Sequence, residues 1–249
     1  MTEALPLDGR IALVTGATRG IGKAAALALA EAGAQVVATA RTQGALEALD
    51  DEIRALTGKR ASLIPLDLAD GASVDGLGLA LHQRFGRLDI LVHAAAQLGG
   101  LSPISHIDPS HWDKIMAVNL GASFRLIRTT ERLLKASEAG RAIFLTSGRV
   151  DRPKAFWGLY GASKAGLEHL VRTWADEVEN TRIRAAIVDP GAMRTKMRAE
   201  AMPGEDPLTL PDPSEIGPLF VELAQAELGL PKVTVRFSEW KASGTLASA

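Results

Sequence analysis

Ile11-Ala-Leu-Val-Thr-Gly-Ala-Thr-Arg-Gly-Ile-Gly22 decides the fold of this 249-residue chain. Its four apolar residues, Ile11 to Val14, fit a strand buried on both faces of a parallel sheet. Thr15 and Gly16 end the run, and Gly20 and Gly22 open the alanine-rich segment Lys23–Ala32, which predicts a helix. Strand, glycine turn and helix N-terminus together form an anion site, because free backbone N–H groups and the positive end of the dipole point the same way. Glycine at 16, 20 and 22 lets the turn close tightly and lets a pyrophosphate lie against the main chain.

Two nucleotide readings compete for this loop. A Walker A loop requires Gly-x-x-x-x-Gly-Lys-Ser/Thr, and Gly22-Lys23 offers its end. Ala17 stands where the first glycine belongs, however, and Ala24 lacks the hydroxyl that would hold Mg²⁺. The dinucleotide reading requires a second strand ending about 20 residues on, where the ribose 2′ position is read. Gln35–Ala40 supplies it, followed by Arg41. A carboxylate there would accept from the 2′-hydroxyl of NAD, whereas a guanidinium suits a 2′-phosphate. With Arg41 after the second strand and Arg19 in the turn, NADP(H) is expected over NAD(H). The alternative is a solvated loop arginine at 41.

The hydrophobic fraction of 47% is enough for one α/β domain with a sizeable core. A formal net charge of −1 gives no reason to expect nucleic acid or a membrane surface as partner. The chain has no cysteine, which excludes disulfides and thiol catalysis. Met1–Leu7 has neither the basic nor the apolar region of a signal peptide, and no run approaches a membrane span. The expectation is a cytoplasmic protein. The five histidines have no metal-ligand spacing, so no metal is expected.

Beyond the first unit, strand-like and helix-like stretches alternate. Helices are expected over Gln43–Leu56, Ala72–Phe85, Trp112–Ala136, Leu159–Glu179 and Pro213–Ala226. Strands are expected over Ala61–Leu66, Leu88–His93, Ala142–Thr146, Arg184–Val188 and Lys232–Phe237. This order predicts a single α/β domain over residues 1–249, a doubly wound parallel sheet of about seven strands with helices on both faces. Ligands of such sheets lie beyond the carboxyl ends of the strands.

Chemistry-bearing residues fall at those ends. Tyr160 and Lys164 are four apart at the start of a helix, so their side chains share a face. A neighbouring ammonium favours phenolate and is expected to lower the tyrosine pKa, giving a general acid or base. Ser147 ends the preceding strand, from where its hydroxyl could hold a carbonyl oxygen while a hydride arrives at carbon.

Thr15-Gly-Ala-Thr-Arg-Gly-Ile-Gly22, Asp67, Asn119, Ser147, Tyr160-Gly-Ala-Ser-Lys164, Asp189-Pro-Gly191 and Thr195 occur in an order and spacing that resembles the short-chain dehydrogenase/reductase family. The resemblance runs to about Thr195 and implies a Rossmann-type fold. It implies that Tyr160 donates a proton to the substrate carbonyl, and that Lys164 lowers its pKa and binds the nicotinamide ribose. It implies that Ser147 orients the carbonyl oxygen and that Asn119 holds a water linking Lys164 to solvent. The cofactor would lie on Gly16, Thr18, Arg19, Gly20, Ile21 and Gly22, with Arg41, Asp67 and Leu68 around the adenosine. Ala94, Ala95, Pro190, Gly191 and Thr195 would follow it toward the nicotinamide, where Tyr160 and Lys164 also touch it. Where the family reads Asn-Asn-Ala-Gly, this chain has His93-Ala-Ala-Ala96. Ala94 removes an amide that would tie the strand to its neighbours, at a cost of about 1 kcal/mol. His93 is expected to be a packed or water-bonded residue at the core edge. The segment Arg236–Trp240 replaces the family's final glycine-rich turn.

The substrate, a small carbonyl or alcohol compound, is expected between Gly148–Gly158 and a loop at about 192–212. Phe156, Trp157, Met193 and Met197 are candidates for an apolar wall, though Trp157 could equally pack the helix start. Arg149, Arg152, Lys154, Arg194, Lys196 and Arg198 leave two readings open. One is a substrate with a carboxylate, phosphate or coenzyme A thioester, and the other is solvated loop charge beside the cofactor phosphates. Glu138 and Thr181 stand where 3-oxoacyl reductases present basic residues to a carrier protein, which disfavours a carrier-bound substrate. Two alternatives to a general carbonyl oxidoreductase are a cofactor-bound scaffold or redox sensor and a 3-oxoacyl thioester reductase. An apolar seam on Ala117–Leu134 and Leu167–Trp174 suggests a homodimer or homotetramer, since the family pairs these helices across a two-fold axis.

Overall fold

The run that opens the sequence lies at the centre of a sheet. The computed structural model describes residues 5–226 and 234–246. In it β1 (Ile11–Thr15) pairs with β2 (Gln35–Ala40) on one side and β4 (Ile90–His93) on the other. β3 (Ser62–Pro65) extends the sheet beyond β2. β5 (Arg141–Leu145), β6 (Arg184–Asp189) and β7 (Thr234–Arg236) extend it beyond β4. The seven strands are all parallel and run in the order β3-β2-β1-β4-β5-β6-β7. The direction of winding reverses between β1 and β4, and the connections leaving these two strands part to opposite faces. A cleft opens at such a switch point.

Alternation along each strand builds two cores, one on each face. Ala12, Val14, Ile90, Val92, Ile143 and Leu145 pack on one side, against α1 (Gly20–Glu31), α2 (Gln43–Thr57) and α8 (Gly217–Ala224). Ile11, Leu13, Leu91, Ala142 and Phe144 pack on the other, against α3 (Gly71–Phe85), α5 (Ala122–Lys135) and α6 (Gly158–Glu177). Local chemistry sets several helix ends. Asp70 caps α3 by accepting from the backbone N–H of Ala72 and Ser73, and the left-handed Gly58 and Gly86 stop α2 and α3.

The helix expected over Trp112–Ala136 is α4 (Pro109–Met116), a π-helical turn at Ala117–Gly121, and α5. Helical periodicity carries no sign of the extra residue. It is absorbed where the Asn119 side chain is drawn inward by bonds to other segments. The C-terminal helix begins with a 3₁₀ turn, Pro213–Ile216, before α8. Of the strand expected over Lys232–Phe237, residues 232 and 233 lie outside the described residues, and Phe237 instead opens α9 (Phe237–Ser243). In α9 Phe237 stacks on Trp240, whose indole N–H donates to Glu222 at 2.6 Å.

The apolar seam also reads differently in three dimensions. Leu126, Leu134, Leu167, Val171 and Trp174 are all buried in the core of the chain itself. Phe124 is 50% exposed. The periodicity of α5 and α6 thus reports core packing for most of the seam, while Phe124 stays exposed and Leu120 and Leu170 half-buried. Among the described residues no helix is long and apolar enough to cross a membrane.

Candidate active site

The turn after β1 leads into α1 with no side-chain cap and no acidic residue in its first turn. Its first N–H groups therefore face outward with the helix dipole behind them, as an anion would require. Glycine is obligatory at two positions here. A Cβ on Gly22 would sit 2.2 Å from the carbonyl oxygen of Gly16, and Gly16 has φ of +65° with the backbone of Ala95 at 2.9 Å from a Cβ. The main chain is thus pressed close, leaving a surface against which a diphosphate can lie.

From this turn a cleft of about 780 Å³ runs along the carboxyl edge of the sheet. Gly16, Thr18, Arg19, Gly20, Ile21 and Gly22 form one end of it. Arg41, Asp67 and Leu68 stand where the adenosine is expected, and Ala94 and Ala95 lie along the middle. Tyr160, Lys164 and Pro190 close the far end, and Thr195 stands over the turn, its Cγ2 3.3 Å from where a Cβ on Gly20 would lie. Gly191 is set back from the cleft, with φ of +68° and its N–H bonded to Asp189 Oδ1 at 3.0 Å. The length and the uncapped helix fit a dinucleotide, and Arg19 and Arg41 border the cleft.

His93 and Thr15 replace the tie lost at Ala94. Thr15 Oγ1 lies 2.8 Å from His93 Nδ1 and accepts from the N–H of Ala95 at 3.3 Å. The hydroxyl has a second acceptor position and one proton, so which of the two donates in the Thr15–His93 bond follows the tautomer of the ring. Burial, with the Lys164 ammonium nearby, pushes the His93 pKa down to about 3. The ring is neutral and packs edge-on against Phe144 at 5.8 Å, while Nε2 has no partner among the described residues.

Asn119 takes a part broader than the one expected. Its Oδ1 accepts from the N–H of Gln97 at 2.8 Å, and its Nδ2 donates to Gln97 O at 2.9 Å and Ser163 Oγ at 3.0 Å. Its side chain joins the end of β4, the π turn and α6, one residue before Lys164. Ser163 and Gln97 were not singled out from the sequence, and Gln97 acts through its main chain, which no side-chain motif could reveal.

Tyr160 and Lys164 are both buried on one face of α6. The direction of the tyrosine shift is opposite to the expected one. Burial pushes the phenol up to about 12, a hydrogen bond with Ser147 pulls it down, and the Asp189 carboxylate pushes it up again. Burial lowers Lys164 to about 8, and its Nζ donates to Leu145 O at 2.8 Å. Desolvation is the largest cause of both shifts. The phenol is accordingly protonated at neutral pH. Ser147 Oγ also accepts from the N–H of Arg149 at 3.3 Å, which holds the hydroxyl beside the phenol. Thr146, one residue earlier, donates to Glu168 at 2.6 Å and pins the end of β5 to α6.

The substrate-side candidates separate. Trp157 and Met197 gather around Tyr160. Met193 is 2% exposed and belongs to the core below α8, so it is no part of the wall. Phe156 has φ of +75° and turns outward, 56% exposed. Two of the basic residues, Arg194 and Arg198, are paired with Asp212 and Glu205. Arg182 pairs with Glu138 at 2.7 Å, which removes a free cation from that end. Among the described residues no group of three or more metal-ligating side chains assembles.

A doubly wound sheet with an anion-binding turn at its switch point and a Tyr–Lys pair across the cleft defines a nicotinamide-dependent oxidoreductase. Comparison with known proteins agrees. The short chain dehydrogenase family model matches residues 10–206. The uncharacterized oxidoreductase YciK of Escherichia coli K12 is 38% identical over 219 residues, 87% of this chain and 86% of that one. The 3-oxoacyl-[acyl-carrier-protein] reductase FabG of E. coli K12 is 33% identical over 76% of each. A Shigella flexneri 2a protein of the short chain dehydrogenase class, solved in complex with NADP, superposes with a TM-score of 0.89 at 34% identity, covering 94% of this chain and 99% of that one. The chain belongs to the short-chain dehydrogenase/reductase family, oxidoreductases acting on CH–OH and C=O groups.

Proposed function

We propose that the protein is an NADP(H)-dependent carbonyl reductase in which Tyr160 is the proton donor. The observation that carries this reading is the position of Tyr160 and Lys164 on the far wall of the cleft that begins at the glycine turn. The bound cofactor supplies the hydride. Tyr160 gives its phenolic proton to the carbonyl oxygen as that oxygen gains charge, and Ser147 holds the same oxygen through its hydroxyl. Lys164, one helical turn on, stabilises the phenolate left behind. Asn119 keeps α6 and the end of β4 in register so that this geometry holds.

Arg41 and Arg19 support a 2′-phosphate over a free 2′-hydroxyl, because both cations border the cleft and neither has an acidic partner among the described residues. The NADP complex of the Shigella relative is consistent with this choice. The loop at about 192–212 is read as the cover of the substrate, and the absence of cysteine suits a cytoplasmic setting. The E. coli 3-oxoacyl reductase among the relatives makes thioester reduction the second reading, weakened by Glu138 and its partner Arg182.

The test is loss of NADPH absorbance with a panel of aldehydes, ketones and 3-oxoacyl thioesters. Turnover with members of the panel, abolished by Tyr160→Phe, is the expected result. Tight NADPH binding with no turnover across the panel would favour a cofactor-bound scaffold or sensor.

A further inference from the structure

Beyond the cofactor cleft, Tyr160 is enclosed by apolar side chains from three separate segments. Leu98 comes from the connection after β4, Trp157 from the residue before α6, and Met197, Ala201 and Met202 from α7 (Lys196–Ala201) and its end. Trp157 meets the phenol ring edge-on, with centroids 5.9 Å apart at 72°. Leu98 and Ala201 are buried, and Met197 and Met202 are half-buried. Met197 also borders the cofactor cleft, so the apolar wall starts where that cleft ends. Methionine side chains adapt to the shape of an apolar group placed against them.

Two of the six basic side chains around this wall are held in ion pairs. Arg194 pairs with Asp212 at 2.8 Å, and Arg198 pairs through Nε with Glu205 at 2.5 Å. Arg152 Nη2 and Asp189 Oδ2 both approach Gly148, at 3.3 and 3.2 Å from the place a Cβ would occupy there. The Arg149 guanidinium lies over the Trp157 ring at 5.5 Å. Lys154 is exposed, and Lys196 faces the cofactor cleft. Nearest the phenol the acidic group is Asp189, whose field already acts on Tyr160. Among the described residues none of these cations hydrogen-bonds Tyr160, and the charge that acts on its phenol is the Asp189 carboxylate.

We infer that the substrate is a neutral carbonyl compound, or its alcohol, carrying a compact aromatic or branched aliphatic group that packs on Trp157, Met197 and Met202, and that carboxylates and acyl thioesters of anionic carriers are disfavoured. An apolar group gains from leaving water against this wall, whereas a carboxylate would lose its hydration against side chains that offer it no hydrogen bond. This inference rests on the oxidoreductase reading of the same site and sharpens it to a substrate class.

The experiment is calorimetric titration of the full-length protein loaded with NADP⁺, using acetophenone and 4-carboxyacetophenone as a matched pair. Because the oxidised cofactor cannot reduce a ketone, the titration reads binding alone. The neutral ketone is expected to bind at least about tenfold tighter than the carboxylate. Met202→Lys should narrow or reverse that ratio while leaving NADP⁺ affinity within about twofold. Equal or tighter binding of the carboxylate by the wild type would overturn the inference, as would absence of saturable binding of both up to their solubility. Preferential binding of the neutral ketone with no NADPH oxidation by any carbonyl would leave this inference standing and remove the reductase reading.

Discussion

The two edges of the sheet handle buried polar groups in opposite ways. At the amino-terminal edge every such group is answered by the protein. Arg10 donates to the carbonyls of Ala224, Asp89 and Ala139, and Arg141 donates to those of Gly140, Gln225 and Ala226. The end of α8 therefore runs into two guanidinium groups, which suits the negative end of its dipole. Asp89 accepts from the N–H of Ile11 at 2.8 Å, from Arg87 and from Ser137 at 2.5 Å. At the carboxyl edge the buried groups are held less fully. Lys164 donates to a single carbonyl, Leu145 O, the Tyr160 phenol is raised by burial and by a carboxylate, and His93 Nε2 is unmatched among the described residues. Buried polar groups left part-satisfied cost stability, and here they cluster where the ligand belongs. One edge fastens the fold, and the other keeps its donors available.

The contrast can be broken from either side. The largest expected effect is at the fastening edge. Asp89→Ala leaves the Ile11 N–H and the Ser137 hydroxyl unmatched beside Arg10, and should lower unfolding free energy by about 3 kcal/mol. Urea denaturation measures this, with specific activity of the remaining folded protein unchanged. At the open edge Tyr160→Phe should reduce turnover by at least ~10²-fold while NADPH affinity and the melting temperature stay close to wild type. If the variant turns over normally, Tyr160 is not the acid.

Protonation sharpens the comparison further. Reduction requires a protonated Tyr160, which persists to about 12, and a charged Lys164, which is lost through about 8. The kcat/KM for reduction should therefore fall above pH about 8, by about tenfold per unit, and Lys164→Arg should move the break upward. His93 contributes to stability with the sign of a histidine buried neutral. Its folded pKa of about 3 lies below the ordinary 6.5, so below pH 6.5 the unfolded chain takes up a proton that the folded one refuses. Stability is fully present above that pH and is lost as pH falls toward 3, at up to about 1.4 kcal/mol per unit. His93→Phe should flatten this slope in urea midpoints measured across pH 4–7, whatever its effect at neutrality. The smallest expected change is Arg41→Asp, which should shift preference toward NADH by about tenfold through loss of the phosphate contact. A wild type that already prefers NADH would refute the assignment of Arg41.

The fold and the cofactor turn were legible because their signals are local. The continuous apolar run Ile11–Val14 and the glycines at 16, 20 and 22 act over a few residues, and the alternation of strands and helices calls for a parallel sheet. Tyr160 and Lys164 were legible for the same reason, being one turn apart on a helix. What escaped was set by contacts between distant segments. Asn119 is drawn to Gln97 and Ser163, and the helix accommodates it with a π turn. Met193 looked like a cleft residue from its place beside Arg194 and Thr195, yet its side chain enters the core. The seam on α5 and α6 looked free because periodicity identifies an apolar face without identifying what covers it.

Residue order alone determined a parallel α/β sheet, an anion-binding turn and the pairing of a phenol with an ammonium, since each depends on spacing along the backbone. Tertiary structure alone decided the charge states and the surroundings of those groups. How far Tyr160 and Lys164 are shielded from water, and that Asp189, Leu98, Trp157 and Met202 stand around the phenol, follow from how the segments fold over one another. The proton affinity of a side chain depends on what replaces its water, and that is a property of the packed molecule.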